Sequence, residues 1–295
     1  MAYRIRRKDK TVERAVRRIA REQLGKALDA LDNIDDMPGA IHDVRKRCKK
    51  LRGLLRLVRP VFPDFAAEDR VFREVSALLS PHRDAQVALA TFDAIVARTN
   101  GHLSQDILGG LRDSLAGAVV PLDHADLAEP VEQCRRQLAD ARQRAKAWKL
   151  DDDGWSALGG GVEKVYARAH HAAETVAAEG DEEAYHRLRR QLKYHWYHTR
   201  LLEKLDLKQL RKRAKAARKL SELMGHHHDL AILEEKLRAS MSKGERKTAE
   251  MLLVLCSRDR AMLENRSSEL IAQLLKQSPD ALVDDWHGKW KQWRH

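Results

Sequence analysis

The sequence is poor in residues that interrupt helices and in aromatic side chains. Its 295 residues include 15 glycines and 7 prolines, and only 5% are aromatic. Residues that favour helices, such as Ala, Leu, Glu, Lys and Arg, are abundant throughout. Apolar residues recur at helical spacing along most of the chain, and strand-like alternation is missing. We therefore predict an all-α fold.

Long apolar runs are also missing. The longest are short segments such as MLLVLC at 251–256, whereas a membrane-spanning helix needs about 18 or more apolar residues. The basic start MAYRIRRKDK leads into another basic, helical segment and not into an apolar one. We therefore expect no signal peptide and no membrane association, and we expect the protein to be cytoplasmic.

Cysteine is scarce, and the patterns that bind metals are absent from the sequence. Cys48, Cys134 and Cys256 are odd in number and widely spaced, so we predict reduced thiols in the core. The histidines at 226–228 could suggest a metal, but no HExxH or CxxC pattern accompanies them, and cations lie nearby. We expect neither a metal site nor a cofactor.

The usual signatures of phosphate chemistry are missing as well. The sequence has no P-loop, no G-x-S-x-G motif and no paired acids that would hold Mg²⁺ near phosphates. These absences favour a binding protein over an enzyme. A metal-dependent phosphohydrolase that uses the histidines remains an alternative.

Acidic residues are missing where basic residues are most frequent. The chain carries a net charge of +12, and the segment IHDVRKRCKKLRGLLRLVRP (41–60) has eight Lys/Arg and a single acid, Asp43. The cations of this segment recur three and four residues apart, which places them on one stripe of a helix beside an apolar stripe. Like charges at this spacing destabilise a helix. We therefore expect a polyanionic ligand, and not another side chain, to neutralise them.

The basic segment occurs twice. Residues 41–59 align with YHRLRRQLKYHWYHTRLLE (185–203) at an offset of 144, and LLSPHRDA (78–85) aligns with LMGHHHDL (223–230) at an offset of 145. Internal similarity of this kind indicates a duplication. We predict two halves, 1–150 and 162–295, joined by a glycine-rich linker at 151–161.

The second repeat also leads to two local predictions. The spacing of the apolar residues predicts separate helices over 207–224 and 227–240. The repeated aspartates, Asp84 and Asp229, are then expected either to cap a helix or to orient an arginine.

These motifs resemble the CHAD family, the conserved histidine α-helical domain. The family pattern is roughly H-x2-R-V-x2-R-R-L-R followed by L-G-x-x-x-D, and this chain has HDVRKRCKKLR with LLSPHRDA and HRLRRQLKYHWY with LMGHHHDL. The resemblance implies two antiparallel four-helix-bundle-like halves related by a pseudo-two-fold axis, with a basic central pore or channel. It also implies binding of inorganic polyphosphate, often on polyphosphate granules, without any reaction.

The resemblance implies ligand contacts in both repeats and on neighbouring helices. In the first repeat they are His42, Arg45, Lys49, Arg52 and Arg56. In the second they are His186, Arg189, Lys193 and Arg200, with Trp196 in place of a cation. Further contacts are expected at Arg17, Arg21, Arg73, Arg83, Arg168 and Arg218.

Two other interpretations of the charge and of the C-terminus remain open. A nucleic-acid-binding protein would fit the charge, but binders of single strands place aromatics among their cations, and the basic rows have few apart from residues 194–197. Trp286, Trp290 and Trp293 share one helix face, which we expect to pack back on the second half of the chain and not to dock a partner.

Overall fold

The fold consists of helices joined by short connections. The computed structural model describes residues 3–33, 36–79, 81–99, 104–117, 124–240 and 244–294, with the backbone alone at 81–85, 124–127 and 240. The helices are α1 (Val12–Leu31), α2 (Met37–Leu57), α3 (Phe65–Leu78), α4 (Pro81–Val96), α5 (Gln105–Gly117), α6 (His124–Arg144), α7 (Gly159–Glu179), α8 (Glu182–Leu201), α9 (Leu207–Ser240), α10 (Arg246–Leu274) and α11 (Pro279–Arg294). The described ranges contain no strand, and the all-α prediction is confirmed. None of the described helices is long and apolar enough to cross a membrane.

Side-chain caps fix the ends of the helices that carry the basic repeats. At the start of α2, Asp36 accepts a hydrogen bond from the backbone N–H of Gly39 at 2.9 Å. At the start of α8, Asp181 accepts from the N–H of Ala184 at 2.6 Å. Gly180, just before it, ends α7 at a φ of 63°, a left-handed conformation that glycine adopts without strain. The turn between α7 and α8 is therefore tight, and Asp181 caps the start of α8.

One predicted helix boundary is wrong. Residues 207–224 and 227–240 form a single helix, α9, which passes through Gly225 without a break. At the aligned position of the first repeat, α3 ends at Leu78 and α4 begins at Pro81. Proline cannot continue a helix, whereas glycine weakens a helix only by about 1 kcal/mol and tertiary packing readily offsets that cost.

Two apolar cores hold the helices together. The larger core takes buried side chains from α1, α2, α3, α6, α7, α8, α9 and α11, and from Leu274 at the end of α10. The smaller core takes them from α4, α5, α9 and α10. Each core therefore includes residues from both parts of the chain that the repeat defines. The division into 1–150 and 162–295 stays a prediction.

Helices α2 and α8 cross in the middle of the larger core. A side chain at Gly53 would come within 2.8 Å of the Tyr197 ring, so the missing Cβ allows the close approach. Beside it, Nε2 of His198 lies 3.1 Å from the carbonyl oxygen of Gly53. Gly53 and Tyr197 are equivalent positions at the offset of 144, so this crossing is where the axis of the predicted duplication would lie.

The glycine-rich segment at 151–161 is fixed against the rest of the fold. Asp153 accepts a hydrogen bond from the N–H of Val12 at 2.6 Å. Gly161 packs so closely on α2 that a Cβ there would lie 1.9 Å from the carbonyl oxygen of Leu57. Residues 159–161 belong to the first turn of α7, so the segment is only in part a connection between helices.

The predictions for cysteine and for the C-terminal tryptophans are confirmed. Cys48, Cys134 and Cys256 are buried free thiols. Trp286 and Trp290 are buried in the larger core, where Trp286 stacks on His195 of α8. The tryptophan face of α11 therefore packs on the protein itself.

Candidate anion-binding site

A cavity of about 320 Å³ lies where the two basic helices face each other beside α9. Its lining comprises Arg45, Lys49, Arg52, Val87, His186, Arg189, Arg190, Lys193, Tyr194, Tyr197, His228, Asp229 and Ile232. Six of these side chains are Lys or Arg, and Asp229 is the one acid among them. We call this cavity the α2–α8 pocket. Its positive lining suits an anion.

The α2 wall follows directly from the sequence pattern. Val44, Cys48 and Leu51 are buried in the larger core. Because they fix the orientation of the helix, the adjacent stripe of Arg45, Lys49 and Arg52 faces the pocket. A contact with α3 orients Arg45, because its Nη1 donates to the carbonyl oxygen of Ser76 on α3 at 2.6 Å. The first wall therefore consists of cations that are already positioned.

On the α8 wall, the cations lie against α9. The Nη2 and Nε atoms of Arg189 lie 3.7 and 3.8 Å from the place where a Cβ of Gly225 would be. Gly225 thus leaves room for the guanidinium to lie along α9. Lys193 follows one turn later on the same face of α8. Cations of α2 and α8 thereby face one space from two sides.

Two histidines mark the end of the pocket near the start of α8. The rings of His186 and His228 are 4.9 Å apart. Burial lowers the pKa of His186, and the neighbouring charges of His228, Arg189 and Arg190 lower it further. At neutral pH this ring is therefore mainly uncharged, and an entering anion would favour its protonation.

The expectation that the cations of α2 lack protein partners is wrong for four of them. Lys46 and Arg47 pair with Asp43 of the same helix at 2.6 and 2.9 Å. The other two pair with an acid of α3. Nε of Arg52 lies 2.9 Å from Asp69 of α3, and Nη1 of Arg56 lies 2.5 Å from the same carboxylate. Burial raises the pKa of Asp69, but hydrogen bonds from Arg56 and Arg52 outweigh burial and hold that pKa below its ordinary value. The carboxylate is distant in sequence, so the local absence of acids did not reveal it.

Comparison with known proteins places this architecture in a family. A sequence profile of the CHAD domain matches residues 10–238. The chain belongs to the CHAD family. No curated protein matches the sequence significantly.

Solved structures agree with this CHAD fold. PptA from Streptomyces chartreusis is similar with a TM-score of 0.62 and 15% sequence identity, over 90% of this chain and 99% of PptA. The CHAD domain from the plant Ricinus communis is similar with a TM-score of 0.54 and 20% identity, over 90% of this chain and 91% of that domain. At these identities the likeness establishes the fold.

This CHAD domain brings together six of the fifteen predicted contact residues. Those that line the α2–α8 pocket are Arg45, Lys49, Arg52, His186, Arg189 and Lys193. They come equally from the two repeats. Whether they bind a ligand stays a prediction.

Two further members of the stripes lie outside the pocket, against aromatic rings. The guanidinium of Arg56 lies 4.2 Å from the centre of the Tyr194 ring. That of Arg200 lies 5.3 Å from the centre of the Trp196 ring. Such contacts stabilise a cation by about 0.5–2 kcal/mol. Arg56 therefore packs on a ring that lines the pocket, whereas Arg200 packs on a ring outside the lining.

The remaining predicted contacts are spread over other surfaces. His42, Arg73 and Arg168 are exposed and do not line the pocket. Arg218 is exposed as well and pairs with Glu222 at 2.7 Å. The side chain of Arg83 lies outside the described residues. Arg17 and Arg21 lie on α1, in a separate groove that α1 forms with α6.

Several lining residues were absent from the predicted site. Arg190 is equivalent to Lys46 at the offset of 144, but Lys46 pairs with Asp43 at 2.6 Å and lies elsewhere. His228 takes the position that Arg83 has in the first repeat. Asp229 lies within α9, so the expectation that it caps a helix is wrong, while the alternative that it orients an arginine stays a prediction. The repeat alignment carried a signal for these residues, whereas Tyr194 and Tyr197 required knowledge of the helix crossing.

The other histidines of α8 are structural. His195 is fully buried, and its Nε2 accepts a hydrogen bond from Nε of Arg213 at 2.8 Å. Burial lowers the pKa of His198 from 6.5 to about 3. In the part of the chain with described side chains, no three His, Cys, Asp or Glu residues are grouped so that they could hold a metal ion.

Proposed function

We propose that this protein binds inorganic polyphosphate in the α2–α8 pocket and does not cleave it. The observation that carries the proposal is the convergence of cations from two helices on one cavity whose described lining holds a single carboxylate. Membership of the CHAD family supports the same ligand.

The spacing of the cations suits a linear polyanion. Arg45, Lys49 and Arg52 recur once per helical turn, that is, about every 5.4 Å along α2. Arg189 and Lys193 repeat that spacing on α8. A phosphate chain has no base edges to be read, so rows of donors on two sides are sufficient for binding. Arginine adds strength because its planar guanidinium grips two oxygens at once.

The lining favours binding without catalysis. It contains no Ser, Thr or Cys that could act as a nucleophile among the described residues, and its acid, Asp229, is the only carboxylate. Hydrolysis of a phosphoanhydride at neutral pH needs an activated water, which a metal ion usually supplies. Donors alone stabilise the bound chain and leave its bonds intact.

Nucleic acid fits the pocket less well than polyphosphate. Binders of single strands stack bases on exposed aromatic rings. The two tyrosines of the lining are buried, and their rings are already covered, that of Tyr194 by Arg56 and that of Tyr197 by Trp196. We therefore infer that the ligand is a polyanion without bases. A cytoplasmic protein with this specificity would associate with polyphosphate granules.

The test is a titration of long-chain polyphosphate and of single-stranded DNA of equal charge across a salt series. The test variant is Arg45→Gln/Arg189→Gln. The matched control is Lys247→Gln/Arg258→Gln, which removes the same charge from exposed positions on α10. Each lost charge-assisted contact should cost about 1.5 kcal/mol or more, so we expect affinity to fall roughly 100-fold in the test variant. Thermal melting shows whether the variants remain folded.

The proposal predicts that wild type and control bind polyphosphate far more tightly than DNA, with affinity falling as salt rises. Equal affinity for the two polyanions would contradict it. So would a folded test variant that binds as well as the control, because the pocket would then not be where binding occurs.

A further inference from the structure

A second basic groove lies between α1 and α6. Its cavity measures about 590 Å³. The cations that line it are Arg14, Arg17, Arg18, Arg21, Lys26, Arg142 and Lys146. Glu22 and Asp29 are the acids of its lining. It shares no lining residue with the α2–α8 pocket. We call it the α1–α6 groove.

The floor of this groove is held in place by ion pairs. Arg18 lies 2.7 Å from Asp9 and 3.2 Å from Glu22, so the charge of Glu22, an acid of the lining, is already neutralised. Arg17 donates from Nε to the carbonyl oxygen of Trp148 at 2.5 Å and pairs with Glu13 at 2.8 Å. These contacts fix the positions of the inner cations before any ligand arrives.

The rim is different from the floor. Among the described residues, no hydrogen bond or ion pair involves the side chains of Arg14, Arg21, Lys26 and Arg142. They approach one concave surface from both helices. Asp29 of the lining offsets only one of these four positive charges, so the groove keeps a surplus of cations that would stabilise an anion.

The groove and the pocket lie on opposite sides of the α1–α2 pair. Arg47 of α2 donates to Gln23 of α1 at 3.2 Å, and this contact marks the faces on which the two helices meet. Successive helical residues are 100° apart, so Arg45 points about 160° away from Arg47, and Arg21 points about 160° away from Gln23. Both cationic stripes therefore face away from the shared interface. With helices about 10 Å wide, the two sites are roughly 20 Å apart.

We propose that the α1–α6 groove is a second, independent polyphosphate-binding site, so that one protein molecule bridges two polyphosphate chains or two distant segments of one chain. This inference rests on the proposed function, because it assigns the same ligand class to a second face. A bivalent protein cross-links a long polyanion, whereas a protein with one site only coats it. Bridging would let this protein condense polyphosphate in addition to binding it.

Stoichiometry with a short ligand tests the second site. Tripolyphosphate is too short to span the two sites, and calorimetry at low salt counts how many molecules bind per protein. The groove variant is Arg14→Gln/Arg21→Gln/Arg142→Gln, and the pocket variant is Arg189→Gln/Lys193→Gln. The matched control is Lys247→Gln/Arg258→Gln/Lys276→Gln, which removes three exposed cations from outside both sites.

We expect about two bound tripolyphosphates for wild type and control and about one for each of the other variants. With long-chain polyphosphate, wild type and control should scatter light most strongly at an intermediate ratio of protein to polymer. The groove variant should lose this maximum several-fold while it keeps its remaining site.

A groove variant that still binds two molecules, or that scatters light as wild type does, would overturn the inference. A control that loses a site would also overturn it, because any cation would then serve. If instead the pocket variant still binds two molecules, the assignment of polyphosphate to the α2–α8 pocket fails, and that outcome is distinct from failure of the groove.

Discussion

The two helices that face the pocket carry cations at the same spacing, but different partners hold them. On α2, Arg45 donates to a backbone carbonyl of α3, and Arg52 shares the carboxylate of Asp69 with Arg56. On α8, Arg189 lies against α9 at Gly225, and the position equivalent to Arg52 is a tryptophan. The two copies of the pattern therefore differ at this position, where α2 has an arginine that pairs with a distant acid and α8 has an uncharged ring.

The histidines of the two helices differ in burial, and we expect this difference to have the largest effect, which is on the pH dependence of stability. His195 and His198 are buried in α8, whereas His42 of α2 is exposed. Burial lowers the pKa of His198 from 6.5 to about 3 and lowers that of His195 well below its ordinary value. The unfolded chain takes up protons at these positions near pH 6.5, and the folded protein does not. The free energy of unfolding is therefore highest, with respect to these groups, above about pH 6.5, and it decreases as the pH falls below that value.

For His198 alone, we expect the free energy of unfolding to fall by about 3 kcal/mol between pH 6.5 and pH 4. Denaturant unfolding as a function of pH measures this loss. His198→Gln should remove most of this loss, and the glutamine amide can still donate a hydrogen bond to the carbonyl oxygen of Gly53. His42→Gln should leave the loss unchanged. An equal pH dependence in all three proteins would show that His198 is not the source of the acid sensitivity.

Replacing Asp69 on α3 should remove the acidic partner that distinguishes the arginines of α2 from the equivalent residues of α8. Asp69→Asn deprives Arg52 and Arg56 of their counter-charge, so we expect stability to fall by about 2 kcal/mol. Because Arg52 faces the pocket, polyphosphate affinity should rise several-fold at low salt, and the gain should disappear at high salt. Melting and titration of the same variant measure both effects. A loss of affinity would mean that Asp69 orients Arg52 for binding and does not compete with the ligand.

A smaller effect is expected from His186. Its pKa lies below the ordinary value in the free protein, because of burial and of the charges of His228, Arg189 and Arg190. A bound phosphate favours the protonated ring, so the pKa rises on binding and affinity increases as the pH decreases from 8 to 6. We expect a several-fold increase for wild type and a flat profile for His186→Gln. The equivalent variant of α2, His42→Gln, should retain the wild-type profile, and its failure to do so would contradict the assignment to His186.

The smallest expected effect concerns the unbroken helix α9. An added Cβ at Gly225 would lie 3.7 Å from the guanidinium of Arg189, which is an ordinary contact. Alanine is favoured over glycine in a helix by about 0.5–1 kcal/mol. Gly225→Ala should therefore raise the melting temperature slightly and leave polyphosphate affinity unchanged. A marked loss of affinity would show that Arg189 needs the full space above the glycine.

The sequence was most informative where one helix determines the outcome. Periodicity located the helices, and the buried stripe of Val44, Cys48 and Leu51 oriented the cations of α2. Prediction from the sequence failed where distant segments of the chain meet. Asp69 neutralises Arg52 from another helix, and the packing that keeps α9 continuous through Gly225 overrides the local signal for a break. Arg17 and Arg21 were assigned to the site from the family resemblance, but only the arrangement of α1 beside α6 shows that they line a separate groove.

A crystal structure of the protein with tripolyphosphate would test binding in the α2–α8 pocket most directly. We expect phosphate oxygens between α2 and α8, within hydrogen-bond distance of the guanidinium groups of Arg45 and Arg189 and of the amino groups of Lys49 and Lys193. A structure in which phosphate occupies only other surfaces, with the α2–α8 pocket lacking it at saturating ligand, would contradict the claim.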